Sequence, residues 1–269
     1  MCNFIFIALA LFALYSCASQ PPQLSIDEAA LGQFAFGLPE FPTEALPSEK
    51  NYSLQKHSLW ATQYYVHYAE TTNANGHPLL DMQGNSFGVM LTARDWCMGG
   101  VEGTIQAKDS TGTLRTYNYA GRGKEIQVDC APFFNKGTLI NAAAIGRTRY
   151  VYATGPFGDG VKGLILVPFR TIATDTTVFP TGTIVYIPAA RGTELELPDG
   201  SRTKHDGYFV AGDIGGAIKG NHIDVFTGVY RKNPFPSIVQ SKSSATFTAY
   251  RVQHSRLQEI LLGLHKARK

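Results

Sequence analysis

Asp213 and Asp224 stand within GDIGGAIKGNHIDVFTG, residues 212–228, together with Lys219, His222 and five glycines. In a strand, HIDVF turns Ile223 and Val225 to one face and Asp224 and Phe226 to the other. A carboxyl beside an aromatic ring in an apolar strand is partly desolvated. That raises its pKa toward the neutral range, where a general acid is useful. Asp213 closes the preceding segment, and Gly215 and Gly216 leave an open floor after it. Lys219 could hold an anionic group or oppose the pKa rise. The same residues could instead bond turn amides, with the glycines building tight turns. His205, Asp206, Asp213, His222 and Asp224 lack the close pairing of a metal motif, so no metal is expected. His205 and Asp206, at a strand entry, are expected to line or shape the site. Glu102, in EGT, is a further acid, read as part of a strand.

The elements that must position these residues read as mainly β. The chain has 269 residues, 44% of them apolar and 17% charged, enough for one large domain or one domain with an insertion. A formal charge of +3 gives no argument for nucleic acid. LWATQYYVHYA, from Leu59, is rich in β-prone residues and reads as the first strand. Shorter segments follow between Phe87 and Tyr152: FGVML, EGTIQAK, TLRTYNYAG and IQVDC. A second group, GLILVPFRTIATD, GTIVYIPAA, HDGYFVAGD, HIDVFTG and ATFTAYRVQ, contains apolar runs suited to strands buried on both sides of a small barrel. Leu257, Ile260, Leu261 and Leu264 recur at helical spacing, with Ser255 placed to cap a C-terminal helix over 255–269.

The N-terminus predicts export. Phe4 to Leu14 is an apolar run of signal-peptide length, too short to span a bilayer. It ends in LYSC, which resembles a lipobox with Cys17 as the lipid-bearing residue; a plain secretory signal is the alternative. Residues 18–58, rich in proline, read as a tether. Cys97 and Cys130 then remain in the mature chain. In an oxidising compartment they are expected to form a disulfide, two buried thiols being the other possibility.

GDIGGAIKGNHIDVFTG closely resembles the signature of the three-aspartate (3D) domain. That family is shared by membrane-bound lytic transglycosylases of the A type and smaller bacterial cell-wall lytic proteins. RTIATDTTVFPTGTIVYIP is similar to the family stretch that carries the first aspartate, and TQYY resembles the Thr-x-Tyr of its first strand. The resemblance covers residues 59–69 and 164–230. It implies a six-stranded double-psi β-barrel over 59–254, interrupted by a β-rich insertion at about 86–150. It also implies that the three aspartates are Asp175, Asp213 and Asp224, with Asp224 as acid/base and Asp213 in the same groove. Asp175, Thr62, Tyr64, His205, Asp206, Gly215, Gly216 and Lys219 become candidates for contacting substrate. The implied reaction cleaves the bond between N-acetylmuramic acid and N-acetylglucosamine in peptidoglycan glycan strands and closes a 1,6-anhydro ring, with no cofactor.

Two alternatives stay open: a glycan-binding envelope lipoprotein that does not cut, and a hydrolase using Asp213 and Asp224 as a pair. Oligomeric state is not readable. The anchor, expected on the periplasmic face of the outer membrane, has its own test. A Cys17→Ser chain should lose membrane association while still folding, as measured by membrane fractionation after a high-salt wash. Retention in the membrane fraction would place the anchor elsewhere.

Overall fold

The computed structural model describes residues 53–73, 75–135, 140–197 and 200–267. The leader, Cys17 and most of the expected tether lie outside these described residues. The first half of the chain forms β1 (Ser53–Tyr64), β2 (His67–Tyr68), β3 (His77–Leu80), β4 (Ser86–Leu91), α1 (Ala93–Glu102), β5 (Thr104–Lys108), β6 (Leu114–Arg122), α2 (Ala142–Ile145) and β7 (Thr148–Tyr152). The second half forms β8 (Thr171–Ala173), β9 (Ile184–Tyr186), β10 (Glu194–Glu196), β11 (Arg202–Lys204), β12 (Tyr208–Asp213), β13 (His222–Phe226), β14 (Phe247–Gln253) and α3 (Ser255–Leu264).

Six strands close into a barrel in the order β1-β13-β8-β12-β9-β14. Two neighbouring pairs are parallel, β1 with β13 and β8 with β12, and the other four are antiparallel. Period-two alternation fills the interior with Leu59, Ala61, Ile172, Val185, Phe209, Ala211, Ile223, Val225 and Ala249. The opposite faces of β9, β12 and β14 present Ile184, Tyr186, Val210 and Val252 to Leu257 and Leu261 of α3. Strands covered on both sides need apolar residues at every position, which is why GTIVYIP and GYFVAG show no alternation. The N-cap of α3 is His254, one residue before the expected Ser255, with its Nδ1 accepting from the Leu257 amide at 3.2 Å.

The barrel starts earlier than its apolar pattern suggests. Ser53 to Ser58, expected in the tether, pair antiparallel with Thr248 to Gln253. Residues 54–58 are mostly exposed, so backbone hydrogen bonds rather than burial hold them, and such a strand leaves little hydrophobic signal.

The insertion is also larger than expected. Its sheet runs β2-β5-β6-β7, with β3 and β4 as a separate hairpin, so it begins at His67 instead of residue 86 and continues through Tyr152. It has its own core of Leu79, Val89, Leu91, Trp96, Ile105, Tyr117 and Tyr150. EGTIQAK is not one strand. Glu102 is the last residue of α1, and Gly103 takes a left-handed turn (φ 81°) before β5 begins. A side chain would strain that backbone, so glycine suits the helix end. Cys97 and Cys130 form the expected disulfide, with Cα atoms 5.5 Å apart, tying the buried face of α1 to the loop before α2.

The cross-link closes a loop with a sequence separation of 33. Replacing both cysteines by serine should lower unfolding free energy by roughly 2–4 kcal/mol. Urea titration of the paired variants checks this; an unchanged midpoint would show that packing alone fixes α1.

Candidate active site where the barrel meets the insertion

The parallel register of β1 on β13 sets Trp60 beside His222, Thr62 beside Asp224 and Tyr64 beside Phe226. Ala61, between Trp60 and Thr62, points into the barrel, as does Leu59 just before Trp60. Trp60, Thr62 and Tyr64 therefore share the outer face, where the chain leaves the barrel for the insertion. The Thr62 hydroxyl donates to Asp224 Oδ1 at 2.7 Å, and its oxygen lies 2.9 Å from His222 Nε2. With the hydroxyl hydrogen directed at the carboxylate, the ring nitrogen is the donor. The His222 ring stacks on Trp60, with centroids 3.6 Å apart and planes within 6°.

Burial pushes the Asp224 carboxyl up to about 7; the Thr62 hydroxyl opposes that rise and the charge of Asp213 adds to it. Asp213 ends β12. Its Oδ2 accepts from the Tyr64 hydroxyl at 2.8 Å and its Oδ1 from the Ile214 amide at 2.8 Å. Burial raises it to about 6, while these two donors pull it down. Two carboxyls near one another thus stand at different acidities, the condition under which one can carry a proton while the other carries charge.

Asp175 belongs to a different setting. Its Oδ1 accepts from the amide and hydroxyl of Thr177, and its Oδ2 from the Gly220 amide at 2.9 Å. These donors hold its carboxyl down at about 2, with a smaller contribution from Lys219. It therefore ties the glycine-rich loop to the turn after β8, and Lys219 is exposed beside it. Gly216 faces open space, whereas a side chain on Gly215 would run into Ile218.

His205 and Asp206 do not line the site. His205 is buried, its Nε2 2.8 Å from the Phe169 carbonyl and its Nδ1 accepting from the Gly207 amide. Burial pushes it down to about 3, so it is neutral. Asp206 binds buried Arg170 with both oxygens, at 2.6 and 3.0 Å. A fully buried guanidinium requires such a partner, which explains why this aspartate faces inward. Among the described residues no group of three His, Cys, Asp or Glu side chains is placed to hold a metal.

Glu102, named in the sequence as a further acid, gathers at the end of β1 with groups missed there, Tyr65, Arg231, His67 and Asp95. The Tyr65 amide donates to Glu102 Oε2 at 2.9 Å. Arg231 lies 5.4 Å over the Tyr65 ring, and its Nη2 is 3.3 Å from His67 Nδ1. His67 Nε2 in turn meets Asp95 at 3.1 Å. Trp60 was also missed; its place two residues before Thr62 and four before Tyr64 in WATQY is the alternation that could have grouped it with them.

Residues 170–233 match the model of the 3D domain, a stretch that contains all three aspartates. No curated protein matches the sequence. Among solved structures, similar chains include MltA of E. coli with bound chitohexaose, at 15% identity and a TM-score of 0.49, covering 73% of this chain and 72% of that one. A membrane-bound lytic murein transglycosylase from Agrobacterium tumefaciens is 14% identical with a TM-score of 0.49, covering 79% of each chain. MltA from Neisseria gonorrhoeae is 11% identical with a TM-score of 0.42, covering 73% of this chain and 72% of that one.

The raised pKa of Asp224 has a stability consequence. Its folded value, about 7, exceeds the ordinary 3.8, so the folded state holds this proton longer than the unfolded chain does. Stability is then lost as pH rises between these values, because charging the group is costlier in the fold. Asp224→Asn removes that cost and keeps an acceptor for Thr62. The variant should be more stable than wild type by roughly 1–3 kcal/mol at pH 8, with the gain vanishing near pH 4. Thermal unfolding at both pH values measures it.

Proposed function

We propose that this protein is a peptidoglycan lytic transglycosylase that uses Asp224 as a single acid/base. The observation that carries the reading is Asp224 itself: a carboxyl held near neutrality by burial, oriented by Thr62, on the strand that ends the 3D-domain motif. In the protonated state it gives its proton to the glycosidic oxygen as the bond to C1 of N-acetylmuramic acid breaks. As carboxylate it then takes the proton from the C6 hydroxyl while that oxygen bonds to C1. The 1,6-anhydro ring closes, no water is consumed, and Asp224 ends protonated.

Asp213, more acidic than Asp224, contributes negative charge near the oxocarbenium-like centre and keeps Asp224 from ionising early. Burial raises both carboxyls and the charge of Asp213 opposes ionisation of Asp224, so activity should fall as pH rises and the pair loses its proton. The site operates in an exported, lipid-anchored chain; the apolar leader and Cys17 support that placement.

Digestion of purified sacculi followed by mass spectrometry tests the reading. Wild type should release anhydromuropeptides. Asp224→Asn should lower that release at least ~10³-fold, because one group serves both transfers, while binding to sacculi stays within a few-fold. Products with reducing ends would establish a hydrolase. Retained binding without products would establish a glycan-binding module.

A further inference from the structure

The end of β1 holds three carboxyls. Thr62 donates to Asp224, Tyr64 to Asp213, and the Tyr65 amide to Glu102. The first two acids come from the barrel, and the third crosses from the insertion on the last residue of α1. Among the described residues Glu102 makes no ion pair. Its helix terminus carries partial negative charge, which disfavours a carboxylate there. The groups that face it are the Tyr65 amide and phenol, the Tyr64 phenol, Asp224 from β13, and Arg231 from the loop after β13. Arg231 is engaged by the Tyr65 ring and His67.

Building on the transglycosylase reading, we propose that Glu102 is a third acid of the site, presenting a protonated carboxyl from the insertion that donates a hydrogen bond to an acceptor oxygen of the bound glycan. Oε2 accepts from the Tyr65 amide and the Tyr65 phenol also hydrogen-bonds the carboxyl, so Tyr65 fixes the group, and in this proposal the carboxyl's acid proton is the one offered to the sugar. Burial pushes this carboxyl up to about 8, with the charge of Asp224 adding to the rise, so it keeps its proton where Asp224 works. A neutral donor suits this position. It binds sugar oxygen without adding a further negative charge opposite Asp224.

The test compares Glu102→Gln and Glu102→Ala on soluble, purified glycan strands between pH 5 and 10. Gln keeps one acceptor for Tyr65 and one donor for substrate, but cannot ionise. At pH 6 the Gln variant should stay within a few-fold of wild type in kcat/KM. The Ala variant should fall roughly ten- to hundredfold, the usual cost of an unpaired polar group. Above pH 8 wild type must lose two protons, so log kcat/KM should fall with slope –2, and Glu102→Gln should relax it to –1. An unchanged slope in the Gln variant, or an Ala variant within twofold of wild type, would overturn the proposal. If Glu102→Ala does not fold, carbon NMR of wild type with labelled glutamate decides: Glu102 titrating below pH 5 sinks the idea. If wild type itself forms no anhydro ends, the transglycosylase reading fails. Binding of the same strands by Glu102→Ala at pH 6 then judges the donor separately, and equal affinity rejects it.

Discussion

The parallel pairing of β1 on β13 is the constraint from which the site follows, because it joins segments some 160 residues apart and fixes which face each side chain takes. Thr62 and Asp224 meet outside the barrel only because Ala61, Ile223 and Val225 are committed to its interior. A one-residue slip would drive Asp224 into that apolar interior and bring Ile223 out. Burial of the inner face therefore secures the register, and the register secures the hydrogen bond to the carboxyl.

The three aspartates of the matched stretch differ in acidity because their surroundings differ. Asp175 sits among amides and a hydroxyl and is strongly acidic; it fastens a loop. Asp213 and Asp224 have fewer donors and less water, so their protons are held more tightly. The barrel also holds a separate polar network. Arg170 and Asp206 form a buried pair, while His205 and His265 are kept neutral by burial in the same region. Polar groups are thus divided between a closed set that fixes the barrel and a set left at its surface.

Much of the barrel was readable in the amino-acid order. Apolar runs located the strands around Val185, Phe209 and Val225, and GDIGGAIKGNHIDVF located Asp213 and Asp224. Thr62 and Tyr64 followed from a short resemblance on the first strand. What escaped were features decided by neighbours distant in sequence. The half of β1 before Leu59 is held by backbone pairing with β14, which no side-chain pattern reports. Glu102 read as a strand residue because GTIQAK dominates its surroundings. The capping arrangement of Thr92 with the Asp95 amide was a helix signal, weakened by two glycines inside α1. His205 and Asp206 looked like site residues since nothing local announces that Arg170 is buried against them.

The bond between Cys97 and Cys130 has a consequence in time. Cys97 lies on α1 about one and a half turns before Glu102, so the cross-link anchors the helix whose last residue reaches the barrel. Disulfides form and persist in oxidising compartments and are rare where thiols are kept reduced. A newly made chain consequently carries its barrel acids before the insertion is fastened. Completion of the full cluster then depends on an oxidant from outside the chain as well as on folding.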